Sequence, residues 1–414
     1  MTEVSGFRGI RYDPARVQLE SVLAPPYDVI SPKLQHDLYG RAMQNVVRLE
    51  LGRDFESDLA GERDRYTRAR DYLGVWLAEG VLIQDDQPSV YIYRHSFRPP
   101  GGGGPRERLG CFVGVEPVPH ERREILRHEL TLTAPRADRL RLLETVRAQT
   151  SPVLLLYEDS DEVTTELVRL SSAAPPAAEA VTEGEYGSER HQLWRVSDPA
   201  SVAGITSALS QTRLFIADGH HRYETALQLG LPQVLALVAP LESDANVILP
   251  THRVVPEAGR GIDDLAATLS SQGWRIQRSA GLEEALLTIG SQRDTQHAFA
   301  IASSAGRVIA SRERRADGAS SPRQRLDVVV LETEILEPLL GITAADAAAG
   351  RLLYSRDAEE AVEVACAKRG VAFLVNPPSV AEMAAVALAD EAMPQKSTYF
   401  FPKVPAGLVI MSLD

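Results

Sequence analysis

An acid, a glycine, two histidines and an arginine follow one another in the stretch IADGHHRYETAL, residues 216–227. The apolar residues before Asp218 predict a buried strand, and the residues after Arg222 predict a helix. Gly219 permits a tight turn between the two elements. Because the first N–H groups of a helix have no partner inside it and carry partial positive charge, the turn predicts an anion site.

The side chains of the same turn strengthen this prediction. His220, His221 and Arg222 add hydrogen-bond donors, and a guanidinium can hold a phosphate through two parallel bonds. Asp218 is predicted either to accept from a ligand hydroxyl or to hold Mg²⁺, which prefers carboxylate and phosphate oxygens. Two alternatives stay open: Asp218 caps the helix while the histidines pack locally, or a histidine joins distant partners in a zinc site.

Two further stretches could supply an acid–base group. In APPYDVIS, residues 24–31, prolines stiffen the chain around Asp28, although a rigid turn would explain them equally well. In RHELT, residues 127–131, His128 and Glu129 predict a polarised acid–base pair, although charges on a helix surface are common. Asp28 and Glu129 are therefore the candidates for a catalytic carboxylate, with His128 beside the second.

Basic residues outside the turn add two candidates. Arg253 lies in the apolar stretch LPTHRVV, residues 249–255. The chain has four lysines among 44 basic residues, and two of them lie in MPQKSTYFFPK, residues 393–403. A lysine retained against such a bias indicates a need for a compact point charge, so we expect Lys396 to reach a phosphate or a carboxylate. Chance, or pairing with a surface acid, is the alternative.

The composition excludes some classes of protein. A net charge of −13 argues against nonspecific nucleic-acid binding, and we expect no membrane span because no apolar run approaches about 18 residues. Two cysteines without metal-ligand spacing, and the lack of a secretion signal in the first residues, predict a cytoplasmic protein. Whether the chain forms a homodimer stays an open question.

The order of predicted elements indicates an α+β protein of two domains. The segment 88–117 predicts an antiparallel hairpin, SPKLQHDLYGR at 31–41 predicts a helix capped by Ser31, and 171–189 predicts a surface excursion. After PEAGRGI, at 256–262, helices and strands alternate regularly. We therefore predict an N-terminal domain over 1–256 and a smaller α/β domain over 257–414.

Several of these stretches, in this order, resemble domain-of-unknown-function family 1015: APPYDVIS, RHELT, LFIADGHHRYETAL, LPTHRVV and MPQKSTYFFPK. The DGHHR element is similar to the nucleotide-binding turn of the ParB/sulfiredoxin fold, which free serine kinases share. The resemblance implies a ParB/sulfiredoxin-like mixed sheet, with Asp218, Gly219, His220 and Arg222 around nucleotide phosphates. To these we add His221, Arg253 and Lys396.

The resemblance also implies an activity. We expect a phosphotransferase that uses ATP or ADP with Mg²⁺ and acts on L-serine or a similar hydroxy amino acid, with Asp218 as the metal ligand. Sulfinic acid reduction is disfavoured because neither cysteine lies near 218–222, and DNA binding of the ParB type because the chain is acidic. The alternatives are a nucleotide-binding switch or adaptor without turnover, and a hydrolase acting on a phosphorylated small molecule.

Overall fold

A computed structural model describes residues 2–130, 133–158, 161–314 and 321–414. The chain forms two compact units. The first unit comprises Met1–Arg127, Thr131–Val247 and Phe400–Asp414, and the second unit comprises His128–Leu130 and Ile248–Tyr399. In the described ranges, every helix is too short or too polar to cross a membrane.

The strands are short to medium in length, and the longest have ten residues. In chain order the described residues form β1 (Val4–Ser5), β2 (Gly9–Tyr12), β3 (Leu82–Gln84), β4 (Val90–Phe97), β5 (Arg106–Val115), β6 (Ile125–Leu126), β7 (Ala148–Gln149), β8 (Val153–Tyr157), β9 (Ala178–Gly184), β10 (Gly187–Val196), β11 (Leu214–Asp218), β12 (Val234–Pro240), β13 (Val247–Ile248), β14 (His252–Val255), β15 (Arg275–Arg278), β16 (Gln296–Ser303), β17 (Gly306–Glu313), β18 (Leu353–Ser355), β19 (Val371–Val375), β20 (Phe400–Phe401) and β21 (Ile410–Ser412).

Helices follow or separate most of these strands. In chain order they are α1 (Leu19–Val22), α2 (Pro32–Arg41), α3 (Val47–Glu50), α4 (Arg65–Ala78), α5 (Thr133–Val146), α6 (Glu162–Ala173), α7 (Pro199–Ser210), α8 (His220–Gln228), α9 (Ile262–Ser271), α10 (Leu282–Gln292), α11 (Asp327–Leu331), α12 (Glu337–Leu340), α13 (Ala344–Ala348), α14 (Ala358–Ala367) and α15 (Val380–Leu388). A 3₁₀ turn covers Tyr27–Val29.

A mixed sheet organises the first unit. Its strand order is β6-β11-β8-β12-β5-β4-β10-β9, and β1 also pairs with β5. The pairs β6–β11 and β8–β12 are parallel, whereas β8–β11 and the pairs from β12 to β9 are antiparallel. The five residues of β8 are all buried, as expected for a strand with neighbours on both sides. A second sheet, β3-β2-β21-β7, joins both ends of the chain to this unit.

The helices of the first unit cover this sheet with apolar side chains. Tyr157 of β8, Leu167 of α6, Leu209 of α7 and Tyr223 of α8 belong to one buried cluster. Tyr223 also ties α8 to the chain after β5, because its hydroxyl donates to the carbonyl of Val118 at 2.8 Å and accepts from the N–H of Val118 at 2.9 Å. The first turns of α8 are therefore held against the chain that follows β5.

The second unit has an antiparallel sheet of its own. Its order is β15-β17-β16-β19-β14-β18, and its strand pairings are antiparallel. Trp274, Phe299 and Phe373 lie in one of its buried apolar clusters. Mixed and antiparallel sheets covered by helices confirm the predicted α+β class.

Several local predictions can be compared with these elements. The strand–turn–helix at 214–228 is confirmed, as are the antiparallel hairpin β4–β5 and the Ser31 cap of α2, where the Ser31 hydroxyl accepts from the N–H of Leu34. The predicted surface excursion at 171–189 is wrong, because it contains β9 and the start of β10. β9 has only one neighbour, so a polar sequence with few apolar residues is sufficient for it.

Candidate functional site

The turn between β11 and α8 is built on one glycine. Asp218 ends the strand, Gly219 has a φ of +92°, and His220 begins the helix. A Cβ at Gly219 would also lie 3.1 Å from the guanidinium carbon of Arg222. The positive φ therefore favours glycine here, and a Cβ would also push the guanidinium of Arg222 away by a few tenths of an ångström.

Asp218 holds two cations. Its Oδ1 pairs with Lys403 Nζ, and its Oδ2 lies 2.8 Å from Arg222 Nη2. Burial alone would raise the pKa of Asp218, but the charges of Lys403 and Arg222 outweigh it and hold the pKa well below its usual range. Asp218 is therefore an ionised carboxylate whose two oxygens position two cations. We call Asp218, Lys403 and Arg222 the strand-end cluster.

Arg222 is fixed at a second point. Its Nη1 donates to the carbonyl of Pro152, which precedes β8. Since β8 pairs with β11, with Leu154 opposite Asp218, the carbonyl and the carboxylate lie side by side at this end of the sheet. The guanidinium is thus oriented before any ligand arrives.

Lys403 reaches this cluster from the last segment of the chain. Arg108 of β5 donates to the carbonyls of Phe401 and Pro402, each at 3.0 Å, and to that of Ala245 at 3.2 Å. Arg108 is 1% exposed, and burial lowers its pKa to about 10. A buried cation therefore clamps the two residues that immediately precede Lys403.

The APPYDVIS segment lies near the same turn. Tyr27 N–H donates to Glu50 Oε1 at 3.3 Å, and the guanidinium of Arg139 lies 4.0 Å from the Tyr27 ring centroid. Burial raises the pKa of Tyr27 to about 12, although the charges of Arg222 and Arg139 act against this increase. Asp28, the next residue, is exposed. The structure therefore brings Tyr27 within range of the charge of Arg222, and Asp28 is the next residue along the chain.

The two histidines of the turn differ in exposure. His220 is 8% exposed, and its charged form would lower the pKa of Asp218, whereas His221 is half-buried. Farther along α8, Glu224 Oε1 lies 2.6 Å from His120 Nε2 and 3.3 Å from Arg127 Nη1. Arg127, the first residue of the RHELT stretch, thus helps to anchor α8.

The donor set of the strand-end cluster fits an anion better than a metal ion. Mg²⁺ binds through carboxylate or phosphate oxygens, and both oxygens of Asp218 already accept from Lys403 and Arg222. A magnesium ion on Asp218 would lie against two cations, whose positive charges disfavour it. The role of Asp218 as a metal ligand stays a prediction without structural support.

Four predicted site residues belong to the second unit. His128 is buried, its Nε2 lies 2.9 Å from Thr398 Oγ1, and the bridge of Glu129 to Met393 continues this contact along the backbone. Arg253 is fully buried in β14 and donates to the carbonyl of Thr251. Lys396 is exposed and has a φ of +59°. Their roles in a nucleotide site stay predictions, and Thr131 lies outside the described residues.

A second polar group lies inside the first unit. His191 of β10 and Arg108 of β5 are each directly opposite His95 of β4, and Glu189 is two residues before His191. His95 Nε2 lies 2.9 Å from Glu189 Oε2, and the two imidazole ring centroids are 4.5 Å apart. We call His95, Glu189, His191 and Arg108 the buried cluster.

The buried cluster has the residue types of a metal site but is engaged in hydrogen bonds. One candidate ligand atom from each of His95, Glu189 and His191 lies within 4.8 Å of the others. His191 Nδ1 lies 2.7 Å from Tyr93 OH, and its Nε2 lies 2.8 Å from Thr182 Oγ1. Both ring nitrogens of His191 thus have protein partners, and the neighbouring cation of Arg108 disfavours a second cation.

Sequence reasoning missed Lys403, Arg108, Glu50 and Arg139, as well as His95, Glu189 and His191 of the buried cluster. Lys403 was within reach, because it shares the lysine-bearing stretch with Lys396. Arg108, Glu50 and Arg139 gave no signal, since each is a charged residue in an ordinary amphipathic context. Their burial, at 1%, 2% and 6% exposed, becomes visible only in the folded chain.

Solved structures resemble the chain at low identity. Free serine kinase in complex with AMP is 15% identical, with 72% of this chain and 92% of that chain covered and a TM-score of 0.35. A mutant free serine kinase in complex with ADP is 13% identical, with the same coverage and a TM-score of 0.37. A conserved hypothetical protein from Pyrococcus furiosus is 14% identical, with 73% and 95% covered and a TM-score of 0.35. These values are too low to transfer residue roles.

The sequence itself matches no curated protein. A family model described as a protein of unknown function, DUF1015, matches residues 4–329. This match covers well over half of the chain, and it includes APPYDVIS, RHELT, DGHHR and LPTHRVV. The chain therefore belongs to the DUF1015 family.

Proposed function

We propose that the turn at 218–222 binds the phosphates of ATP or ADP, and that the chain transfers a phosphoryl group to a small hydroxyl-bearing substrate such as L-serine. The observation that carries the proposal is the strand-end cluster, in which one carboxylate holds two cations beside the start of a helix. The resemblance of DGHHR to the nucleotide-binding turn of the ParB/sulfiredoxin fold supports a nucleotide as the anion.

The charges of this region favour an anion. Lys403 and Arg222 together carry one more positive charge than Asp218 neutralises, and a helix N-terminus adds the equivalent of about half a positive charge. Lys403 and Arg222 have side chains that are 9% and 13% exposed, so their charges are less screened than those of surface residues. Oriented charge of this kind stabilises transferring phosphoryl groups, whose chemistry depends mainly on positioning and neutralisation.

Asp28 is the base that this proposal favours. It belongs to the same unit as the strand-end cluster, is exposed, and follows Tyr27, on which the charge of Arg222 acts. In the transfer, Asp28 takes the proton of the acceptor hydroxyl while the acceptor oxygen forms a bond to the terminal phosphorus. The bond from that phosphorus to the nucleotide breaks, and Lys403 and Arg222 neutralise the departing phosphate. ADP would leave as AMP, and ATP as ADP.

Magnesium enters the proposal with the nucleotide. Mg²⁺ usually keeps several waters and binds through substrate phosphates, so it does not require the oxygens that Asp218 gives to Lys403 and Arg222. The catalytic roles of Glu129 and His128 stay predictions, as do the nucleotide-binding roles of Arg253 and Lys396. The cytoplasmic location and the homodimer also stay predictions.

Conversion of L-serine to O-phosphoserine tests the proposal. Full-length protein is incubated with L-serine, Mg²⁺ and either ADP or ATP, and the product is followed by ³¹P NMR. We expect turnover in the wild type and a loss of about 10²–10⁴-fold in Asp28→Asn, which removes the general base. Asp37→Asn, an exposed acid on α2, is the matched control and should keep wild-type turnover.

Each outcome has a separate meaning. Full turnover in Asp28→Asn would remove Asp28 from the mechanism. Nucleotide binding by the wild type without any phosphoserine would overturn the kinase and leave a nucleotide-binding switch as the function. If the wild type showed no nucleotide binding and no turnover, the nucleotide site itself would be overturned.

A further inference from the structure

A small cavity lies directly beside Arg222 in the first unit. Its volume is about 50 Å³. Arg222 and Thr225 of α8 line one side, and the opposite side comes from α3, α5 and the chain around β7. The charged and hydroxyl-bearing residues that line it are Glu50, Arg139, Thr150, Ser151, Arg222 and Thr225, and Gln149 completes the polar lining.

Ser151 leaves a hydrogen-bonding group unused at this cavity. The residue is 6% exposed, and its hydroxyl has no hydrogen-bond partner among the described residues. Buried hydroxyl groups are nearly always hydrogen-bonded, because an unpaired one has lost its contacts with water without replacing them. The Ser151 hydroxyl is therefore an unused hydrogen-bonding group in a residue that lines the cavity.

Glu50 and Arg139 present opposite charges to the same space. Arg139 Nη1 lies 3.7 Å from Glu50 Oε1, and Thr150 Oγ1 donates to Glu50 Oε2. Among the described residues, Arg139 uses three donors, two on Asp138 and one on the carbonyl of Glu50. A guanidinium has five N–H donors and a carboxylate about four acceptor positions, so both groups have capacity left.

The size of the cavity limits its ligand. A buried water needs roughly 10–15 Å³ of such space, so about 50 Å³ admits a group of only a few atoms. Opposite charges 3.7 Å apart match a ligand whose own ammonium and carboxylate are separated by a single carbon.

We propose that this cavity binds a small α-amino acid, with its ammonium on Glu50 and its carboxylate on Arg139 and the Ser151 hydroxyl. The side chain of such a ligand then extends toward Arg222. The further statement that this amino acid is the phosphoryl acceptor rests on the proposed function, whereas the binding itself does not.

The test compares ligands on the unmodified protein. Isothermal titration calorimetry measures the affinity of the full-length protein, without nucleotide, for L-serine, for N-acetyl-L-serine, which has no ammonium, and for L-serinamide, which has no carboxylate. We expect L-serine to bind and each analogue to bind at least about tenfold more weakly. Equal affinity for L-serine and N-acetyl-L-serine would overturn the proposal, as would absence of L-serine binding, which would leave a water-filled cavity only.

Two variants test whether L-serine binds in this cavity. Ser151→Ala should weaken L-serine binding, and Glu50→Gln should bind L-serine and N-acetyl-L-serine with similar affinity, because the charge that recognises the ammonium is gone. Ser188→Ala, an exposed serine of β10, should bind L-serine as the wild type does. Unchanged discrimination between the two ligands in Glu50→Gln would place the amino acid elsewhere.

This result is separable from the proposed function. L-Serine binding without ADP binding would support the cavity and contradict the kinase. ADP binding without L-serine binding would overturn the amino-acid cavity and leave the nucleotide site standing.

Discussion

The strand-end cluster and the buried cluster each contain one carboxylate, and the protein shifts the pKa of the two carboxylates in opposite directions. Asp218 has a lowered pKa because Lys403 and Arg222 each contact one of its oxygens and outweigh its burial. Burial raises the pKa of Glu189 to about 6, against the opposing effects of His191 and Arg108. Direct contact with cations therefore outweighs burial, whereas a cation at longer range does not.

The two clusters also differ in what they leave for a ligand. Asp218 faces two cations, so the strand-end cluster keeps an excess positive charge at the start of a helix. In the buried cluster one arginine accompanies one carboxylate, and burial keeps both histidines neutral by lowering the pKa of His95 and, to about 3, that of His191. The first arrangement is suited to an anion, and the second is suited to holding strands and the C-terminal segment in place.

The largest effect that we predict is the loss of stability in Arg108→Met. The substitution removes the hydrogen bonds that Arg108 donates to three carbonyls, those of Ala245, Phe401 and Pro402. It also takes away the cation whose charge acts on Glu189. Leaving a buried acceptor without its donor costs about 1–3 kcal/mol, so the loss of three such bonds should lower the free energy of unfolding in urea by at least about 3 kcal/mol.

Arg106→Met is the matched control for this variant. Arg106 lies two residues earlier on β5, pairs with Asp244, and has a side chain that is 35% exposed. Its loss should change the free energy of unfolding by less than about 1 kcal/mol. Equal effects of the two substitutions would contradict a special role for Arg108.

The pH dependence of stability provides a smaller effect. The folded pKa of Glu189 is about 6, above the ordinary value of 4.5, so the folded state binds the proton more tightly in this range. The contribution of Glu189 is therefore fully present below pH 4.5 and is lost as the pH rises through 6. This difference amounts to about 2 kcal/mol in the free energy of unfolding.

His191 has the opposite sign. Its folded pKa is about 3, below the ordinary 6.5, so its contribution is present above pH 6.5 and is lost as the pH falls. Between pH 6.5 and 4.5 the two contributions oppose each other in the wild type. His95, whose pKa is also lowered, adds to the effect of His191. Urea denaturation should show that both proteins lose stability between pH 6.5 and 4.5, and that Glu189→Gln loses it more steeply than the wild type because the opposing contribution of Glu189 is gone. Parallel pH profiles would show that Glu189 does not titrate as described.

Sequence reasoning succeeded where the chemistry is local. Asp218, Gly219 and Arg222 are neighbours in the chain, and strand and helix patterns on either side fix their geometry, so the turn could be predicted. The Ser31 cap of α2 and the β4–β5 hairpin depend on equally local rules. A glycine at a strand-to-helix junction indicates a backbone conformation that other residues rarely adopt, such as the positive φ of Gly219.

Sequence reasoning failed where distant segments meet. Lys403 reaches Asp218 across 185 residues, and Glu189 reaches His95 across 94. No periodicity relates such positions, because strand pairing decides which side chains become neighbours. The polar stretch at 178–184 also formed an edge strand, since pairing with β10 overrides its weak propensity.

The affinity of the protein for ADP in Lys403→Met tests the central claim most directly. Isothermal titration calorimetry compares ADP with adenosine on the wild type, on Lys403→Met and on Lys33→Met, whose lysine is an exposed residue of α2. We predict that the wild type and Lys33→Met bind ADP much more tightly than adenosine, and that Lys403→Met loses about tenfold in ADP affinity. Equal affinity for ADP and adenosine, or unchanged ADP affinity in Lys403→Met, would contradict a phosphate site at the strand-end cluster.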